Sequence, residues 1–241
     1  MEIVNDEHNS IFTLEELNEL KFIPKVNRLD LKILAEYYKD NLSNRSFKFK
    51  IKLKGSKEIM DIDIRFYDEN LPHLLGIQKI VERTELSNQK YKYQGEEGFK
   101  RILNRKITIK TLKELDKQLR PKQKDNKNIL VFPSIEDRIT HMHLIPKLMK
   151  ECKMVQFSAE NVTKYYGGNC SIKSDFILHS IEYKVKLQLG VIKEKGSPSY
   201  FVPETFIVTA IRRKDADRLI IGQRYADIIE RYEPEIISKN K

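Results

Sequence analysis

Phe47-Lys48-Phe49-Lys50-Ile51-Lys52-Leu53-Lys54-Gly55-Ser56 alternates apolar and basic residues without a break. Side chains on a strand point to opposite faces with a period of two, so this stretch predicts a strand with one apolar and one lysine face. Gly55-Ser56 supplies a turn, and Glu58 to Tyr67 answers as the return strand. Met60, Ile62, Ile64 and Phe66 face one way, and Asp61, Asp63 and Arg65 the other. The hairpin then runs into Asn70-Leu71-Pro72-His73-Leu74-Leu75-Gly76-Ile77, which opens a helical stretch reaching Arg83. A histidine at such a strand-to-helix junction can reach a substrate, and its side chain exchanges protons near neutrality.

Upstream, Leu31, Leu34, Ala35 and Tyr38 recur at helical spacing after Asp30, and Thr13-Leu14-Glu15-Glu16 reads as a capped short helix. Downstream, residues 84–98 read as a loop. Short helices are expected at Phe99 to Asn104 and at Ile109 to Leu119, with Thr108 or Thr111 as cap. A longer helix is expected from Ser134 to about Lys150, bent or bounded at Pro146. From residue 154 the chain turns β-rich, with strands at 154–158, 173–179, 181–193 and 199–210, and a C-terminal helix is expected from Gly222 to Arg231. This order is α+β rather than alternating α/β.

The 241 residues fit one domain, 1–241, with an acidic arm at 1–26 and a basic internal linker at 120–128. Lys and Arg number 45 against 35 Asp and Glu, a net charge of +10, which favours a polyanionic partner such as nucleic acid. Residues 98–130 hold eleven Lys or Arg, among them Arg101 and Arg105, against three acids. Lys48, Lys50 and Lys52 recur about every 6.6 Å, close to a phosphate repeat. The same row also reads as protection of a strand edge, neutralised by Asp61 and Asp63. No 18-residue apolar run or leader-like segment is present, and the two cysteines form neither a disulfide framework nor a zinc motif. A cytoplasmic protein is expected.

Among the five histidines, His141 and His143 stand two apart on a helix and do not share a face. His73 alone sits in a tight apolar frame at an element junction, where it reads as an acid–base group or as a capping or core histidine. Asp175 with Glu182-Tyr183-Lys184 has the look of a magnesium-dependent nuclease signature, though Glu182, Lys184, Lys186 and Gln188 also describe the outer face of a strand.

From Leu31 to Val208 the order of motifs resembles a phage-associated nuclease family of the barnase–EndoU–colicin–RelE (BECR) fold. The matching pieces are Ile64-Arg65-Phe66, Asn70 to Gly76, Ile102-Leu103-Asn104 with Ile107-Thr108, Glu136-Asp137-Arg138-Ile139, Lys173 to Leu178, Leu187 to Lys193 and Pro203-Glu204-Thr205-Phe206. The resemblance implies a curved antiparallel sheet carrying the site. It implies an endoribonuclease that needs no metal or cofactor and cuts RNA, tRNA included, by attack of the 2′-hydroxyl. A toxin, defence or host-takeover role would follow, with a protein or RNA antitoxin as a further partner. The alternatives are the magnesium-dependent nuclease above and a non-catalytic protein that binds nucleic acid or protein. At the matching positions His73 is the expected acid or base, Arg65 and Lys193 the phosphate stabilisers, Tyr200 and Thr205 orienting groups. Arg138 is either a substrate contact or half of a salt bridge with Glu136, Asp137 or another acid.

Overall fold

A computed structural model describes residues 10–118, 132–196 and 200–238. The basic linker expected at 120–128, the first nine residues of the acidic arm and His8 lie outside them. Helix α1 (Leu14–Asn18) starts from a capping box in which Thr13 and Glu16 each accept a backbone hydrogen bond from the other. Asp30 caps α2 (Leu31–Asn41) by accepting from the Lys32 amide. Next comes the hairpin of β1 (Arg45–Leu53) and β2 (Ile59–Phe66), in the register the alternation predicts: Lys48 stands opposite Asp63 and Lys50 opposite Asp61.

Helices α3 (Asn70–Leu75), α4 (Ile77–Val81), α5 (Gly95–Leu103) and α6 (Ile109–Lys117) follow, with a 3-10 segment at Glu85–Tyr93 where a loop was expected. Thr108 caps α6 in a box with Thr111. The helix expected from Ser134 to Lys150 is two, α7 (Phe132–His141) and α8 (Ile145–Glu151), joined by a 3-10 turn at Met142–Leu144, with Pro146 at the start of α8. Proline fits there because a first-turn amide has no intrahelical acceptor to lose.

The remaining elements are β3 (Lys153–Gln156), α9 (Ala159–Tyr166), β4 (Phe176–Glu182), β5 (Val185–Lys193), β6 (Phe201–Ala210), β7 (Arg224–Arg231) and β8 (Glu235–Ile236). The strands close into a ring, β1-β2-β6-β5-β4-β3-β7 and back to β1, with β8 beside the start of β1. The architecture is α+β, as expected, and the sheet closes into a barrel. Its pairs are antiparallel except β2–β6, which run parallel and meet at Ile64 and Phe201.

The expected C-terminal helix is also corrected: Arg224–Arg231 is strand β7, inserted between β1 and β3. The helical reading of Tyr225-Ala226-Asp227-Ile228-Ile229 loses to ladder hydrogen bonds on both sides, which only distant partners supply.

One apolar face of nearly every strand shares a core with α1 to α8. Phe66 is fully buried there, edge-on to Phe47 at 5.4 Å and Tyr38 at 6.4 Å. The Tyr38 hydroxyl donates to the Tyr67 carbonyl at 2.9 Å, fixing the end of β2 from which the candidate site hangs. A smaller core lies on the opposite face of β3–β6, under α9 and the 219–220 segment.

Candidate active site

The turn from β2 into α3 is held by Asn70, whose Oδ1 accepts from the Tyr67 amide at 2.7 Å. One turn later His73 emerges with its side chain 41 % exposed, while Leu71, Pro72, Leu74 and Leu75 beside it are buried. Gly76 ends the helix with φ of +77°, a conformation glycine adopts without strain.

Two side chains flank the imidazole. The Gln78 amide lies 2.5 Å from Nδ1, and Glu204 Oε1 lies 3.6 Å from Nε2. Glu204 reaches this position through a break in β6. Gly190 of β5 pairs with Thr205, but Val191 pairs with Pro203, so Glu204 is the extra residue of a β-bulge. A bulge re-aims the side chain it carries and often stands beside a functional site. Gln78 is buried, and its Oε1 has no hydrogen-bond partner. The amide can therefore donate to a bare Nδ1 or, turned over, accept from a protonated one. Either protonation state of His73 is supported, with Nε2 as the nitrogen facing Glu204.

Arg138 of α7 lies under the same turn. It is 7 % exposed, and its Nη1 donates to the Leu74 carbonyl at 3.2 Å. No acidic partner is found for it among the described residues, so the salt bridge considered with Glu136 or Asp137 is not seen there. Burial pushes its pKa down to about 10. A Cβ at Gly76 would stand 3.1 Å from Nη1. Lys79 is nearby, and burial and then the Arg138 charge lower its pKa. Arg138 thus lies buried beside the turn that carries His73, with the exposed Lys79 on the next helix.

On the other side of the β2–α3 junction, Arg65 bonds both Nε and Nη2 to Asp63 Oδ2, at 2.9 and 2.8 Å, and stacks 4.3 Å over the Tyr200 ring. Arg65 and Tyr200, with Tyr67, Glu69, Asn70 and Glu194, line a cleft of about 370 Å³. Lys193 does not line it. It stands opposite Phe201 in the β5–β6 ladder, and Phe201 packs on Phe176 in the main core, so Lys193 shares that face. Thr205 sits over Gly190 rather than beside His73.

The other basic candidates lie elsewhere. Lys48 pairs with Glu235 at 2.6 Å and Lys50 with Glu230 at 3.1 Å, while Lys52 is exposed. Asp63 and Asp61 stand opposite Lys48 and Lys50 within the hairpin, and β7 and β8 add the directly paired acids. Arg101 stacks on Tyr93, and Arg105 pairs with Asp30 at 3.4 Å.

Asp175 and Glu182 sit at opposite ends of β4, about 23 Å apart at 3.3 Å per residue. Asp175 accepts from the Lys193 amide and Glu182 pairs with Lys147 at 2.9 Å. Tyr183 and Lys184 form the positive-φ turn between β4 and β5. The magnesium site expected from these residues is therefore not assembled, because one ion cannot bridge that span.

Glu204, Gln78 and Lys79 were not singled out by the sequence reading. A signal for Glu204 exists: apolar positions of β6 run Phe201, Pro203, Phe206, Val208, and the step of three breaks the strand period where a bulge falls. Gln78 has no comparable signal, since its role depends on the chain reversing at Gly76.

The family described as phage-Barnase-EndoU-ColicinE5/D-RelE like nuclease4 matches residues 30–233. No curated protein and no solved structure matches the chain.

Proposed function

Since the chain belongs to the phage-Barnase-EndoU-ColicinE5/D-RelE like nuclease4 family, we propose that it is an endoribonuclease working by acid–base chemistry, with His73 and Glu204 as the reacting pair. The observation that carries this is their meeting at 3.6 Å in a half-exposed corner backed by Arg138, a buried cation without an acidic partner among the described residues. The Glu204 carboxylate takes the proton of the ribose 2′-hydroxyl, whose oxygen attacks the adjacent phosphorus. The bond from phosphorus to the 5′-oxygen breaks, and the His73 imidazolium protonates that oxygen. The products are a 2′,3′-cyclic phosphate and a free 5′-hydroxyl. Arg138 and Lys79 supply positive charge where the phosphorane becomes more negative. Arg65 and Tyr200 offer a cation and a ring on which a neighbouring nucleotide can rest.

The test is cleavage of total RNA and tRNA by the full chain, with and without EDTA. EDTA-resistant products ending in cyclic phosphate are expected. His73→Ala and Glu204→Gln should each lower the rate by about 10²–10⁴-fold. A 2′-deoxy residue at the cut site should abolish cleavage. Loss of activity in EDTA, or full activity in both variants, would sink the reading.

The phage association of the family supports a role as toxin, defence effector or host-takeover factor in the cytoplasm, held in check by an antitoxin where one exists. Among the described residues no helix is long and apolar enough to cross a membrane. Transformants carrying the wild-type sequence should be far fewer than those carrying His73→Ala; equal numbers would count against a toxic role.

A further inference from the structure

A second cleft, of about 260 Å³, opens on the face of β5 and β6 that bears the smaller core, between the chain at 169–172 and the segment at 215–219. Its floor is Gln188, 2 % exposed. The Gln188 Oε1 is buried and has no hydrogen-bond partner. Buried amides are normally paired, so an unpaired one lining a cavity points to something that binds there. Two more buried polar atoms near it lack partners. His179 stands directly opposite Gln188 in the β4–β5 ladder, and its Nε2 is unpaired. Ser174 Oγ, also unpaired, lies against Gly190, two residues along β5 on the same face.

Ile172, Ile207 and the buried Leu219 give the walls an apolar part, beside the polar Asn169, Ser171 and Thr209. Arg218 stands at the rim, while both carboxylate oxygens of Asp215 are taken by Arg213 at 2.8 Å. The volume exceeds what one water fills, about 30 Å³. A flat group with a donor beside an acceptor on its edge, attached to a phosphate, satisfies the amide, the walls and the arginine together.

We propose that this cleft receives one unstacked nucleobase of the RNA, read by the Gln188 amide, with Arg218 on the adjoining phosphate; the choice of ligand rests on the nuclease reading. Gln188 pairs with Ile207, three residues along β6 from Glu204, about 10 Å of strand. Sequence-specific recognition of RNA commonly takes this form, a splayed base hydrogen-bonded along its edge.

The test uses the full chain carrying His73→Ala, titrated with AMP, GMP, CMP, UMP and inorganic phosphate while side-chain amide and backbone NMR signals are followed. One or two nucleotides should shift the Gln188 amide and residues 169–172 and 215–219. Gln188→Leu should weaken that binding at least tenfold. Arg218→Ala, at the rim and outside the core, should weaken it as well. In the otherwise wild-type chain, Gln188→Leu should flatten base preference next to the cut while RNA is still cleaved. Shifts with inorganic phosphate alone, no shift at all, or an unchanged preference in Gln188→Leu would overturn the proposal. Nucleotide shifts at Gln188 in a protein that cleaves no RNA would uphold the cleft and sink the nuclease reading instead.

Discussion

Arg138 is the residue whose chemistry separates function from stability. A guanidinium buried with a single hydrogen bond to the Leu74 carbonyl burdens the fold, because burial disfavours its charged form. Its pKa lies below the ordinary arginine value, so the burden is present at every pH below about 10. Arg138→Met removes the buried charge while keeping length and apolar contact. Its melting temperature is expected to be unchanged or higher, as when other buried charges are replaced by apolar groups. Its RNA cleavage should fall by about 10²–10³-fold, the usual cost of one transition-state donor. A variant that lost stability and kept activity would assign Arg138 to the core instead. Gly190 sets the opposite case. A Cβ there would overlap Ser174 Oγ and come within 2.7 Å of Thr205 Cγ2. Gly190→Ala should destabilise by about 1–3 kcal/mol through overpacking, measurable by urea unfolding.

At the level of elements, the α3–α4 break and the β6 bulge do the positioning. Gly76→Ala places a side chain at φ +77° and presses it on Arg138, so a loss of about 1–2 kcal/mol is expected, with lower activity because His73 and Gln78 flank that turn. Deleting Glu204 would restore a regular β5–β6 ladder. Cleavage should vanish while circular dichroism keeps its strand signal. These two devices also show what sequence can and cannot disclose. The capping boxes at Thr13 and Thr108, the alternation of β1 and β2, and His73 at a junction are local, and each is legible in a few neighbouring residues. Glu204 facing His73, Gln78 turning back on Nδ1 and the acids on Lys48 and Lys50 join segments far apart in the chain, which no local pattern encodes. Strand β7 was misread for the same reason: its strand character comes from β1 and β3, not from Tyr225-Ala226-Asp227-Ile228-Ile229 itself.

For the molecule as a whole, acid should lower the stability of the fold. Burial pushes His143 and His179 down to about 4, with His141 adding to the effect on the first and Lys186 and Lys153 on the second. Between about pH 6.5 and 4 the unfolded chain binds these protons and the folded chain does not, so stability falls as pH falls through that window. The slope is about 1.4 kcal/mol per pH unit for each histidine. Urea midpoints measured across the window should show it, and His143→Gln with His179→Gln should flatten it. The closed ring has a different kind of consequence, one of timing. Lys50 meets β2 almost at once but waits for Glu230, 180 residues later, to seal its other side. At 5–20 residues per second a ribosome needs roughly 10–40 s to cover that distance. Throughout that interval the nascent chain carries two unsealed strands, β1 and then β3, in need of chaperone cover. Strand β7, which pairs with both, follows every other strand except the short β8.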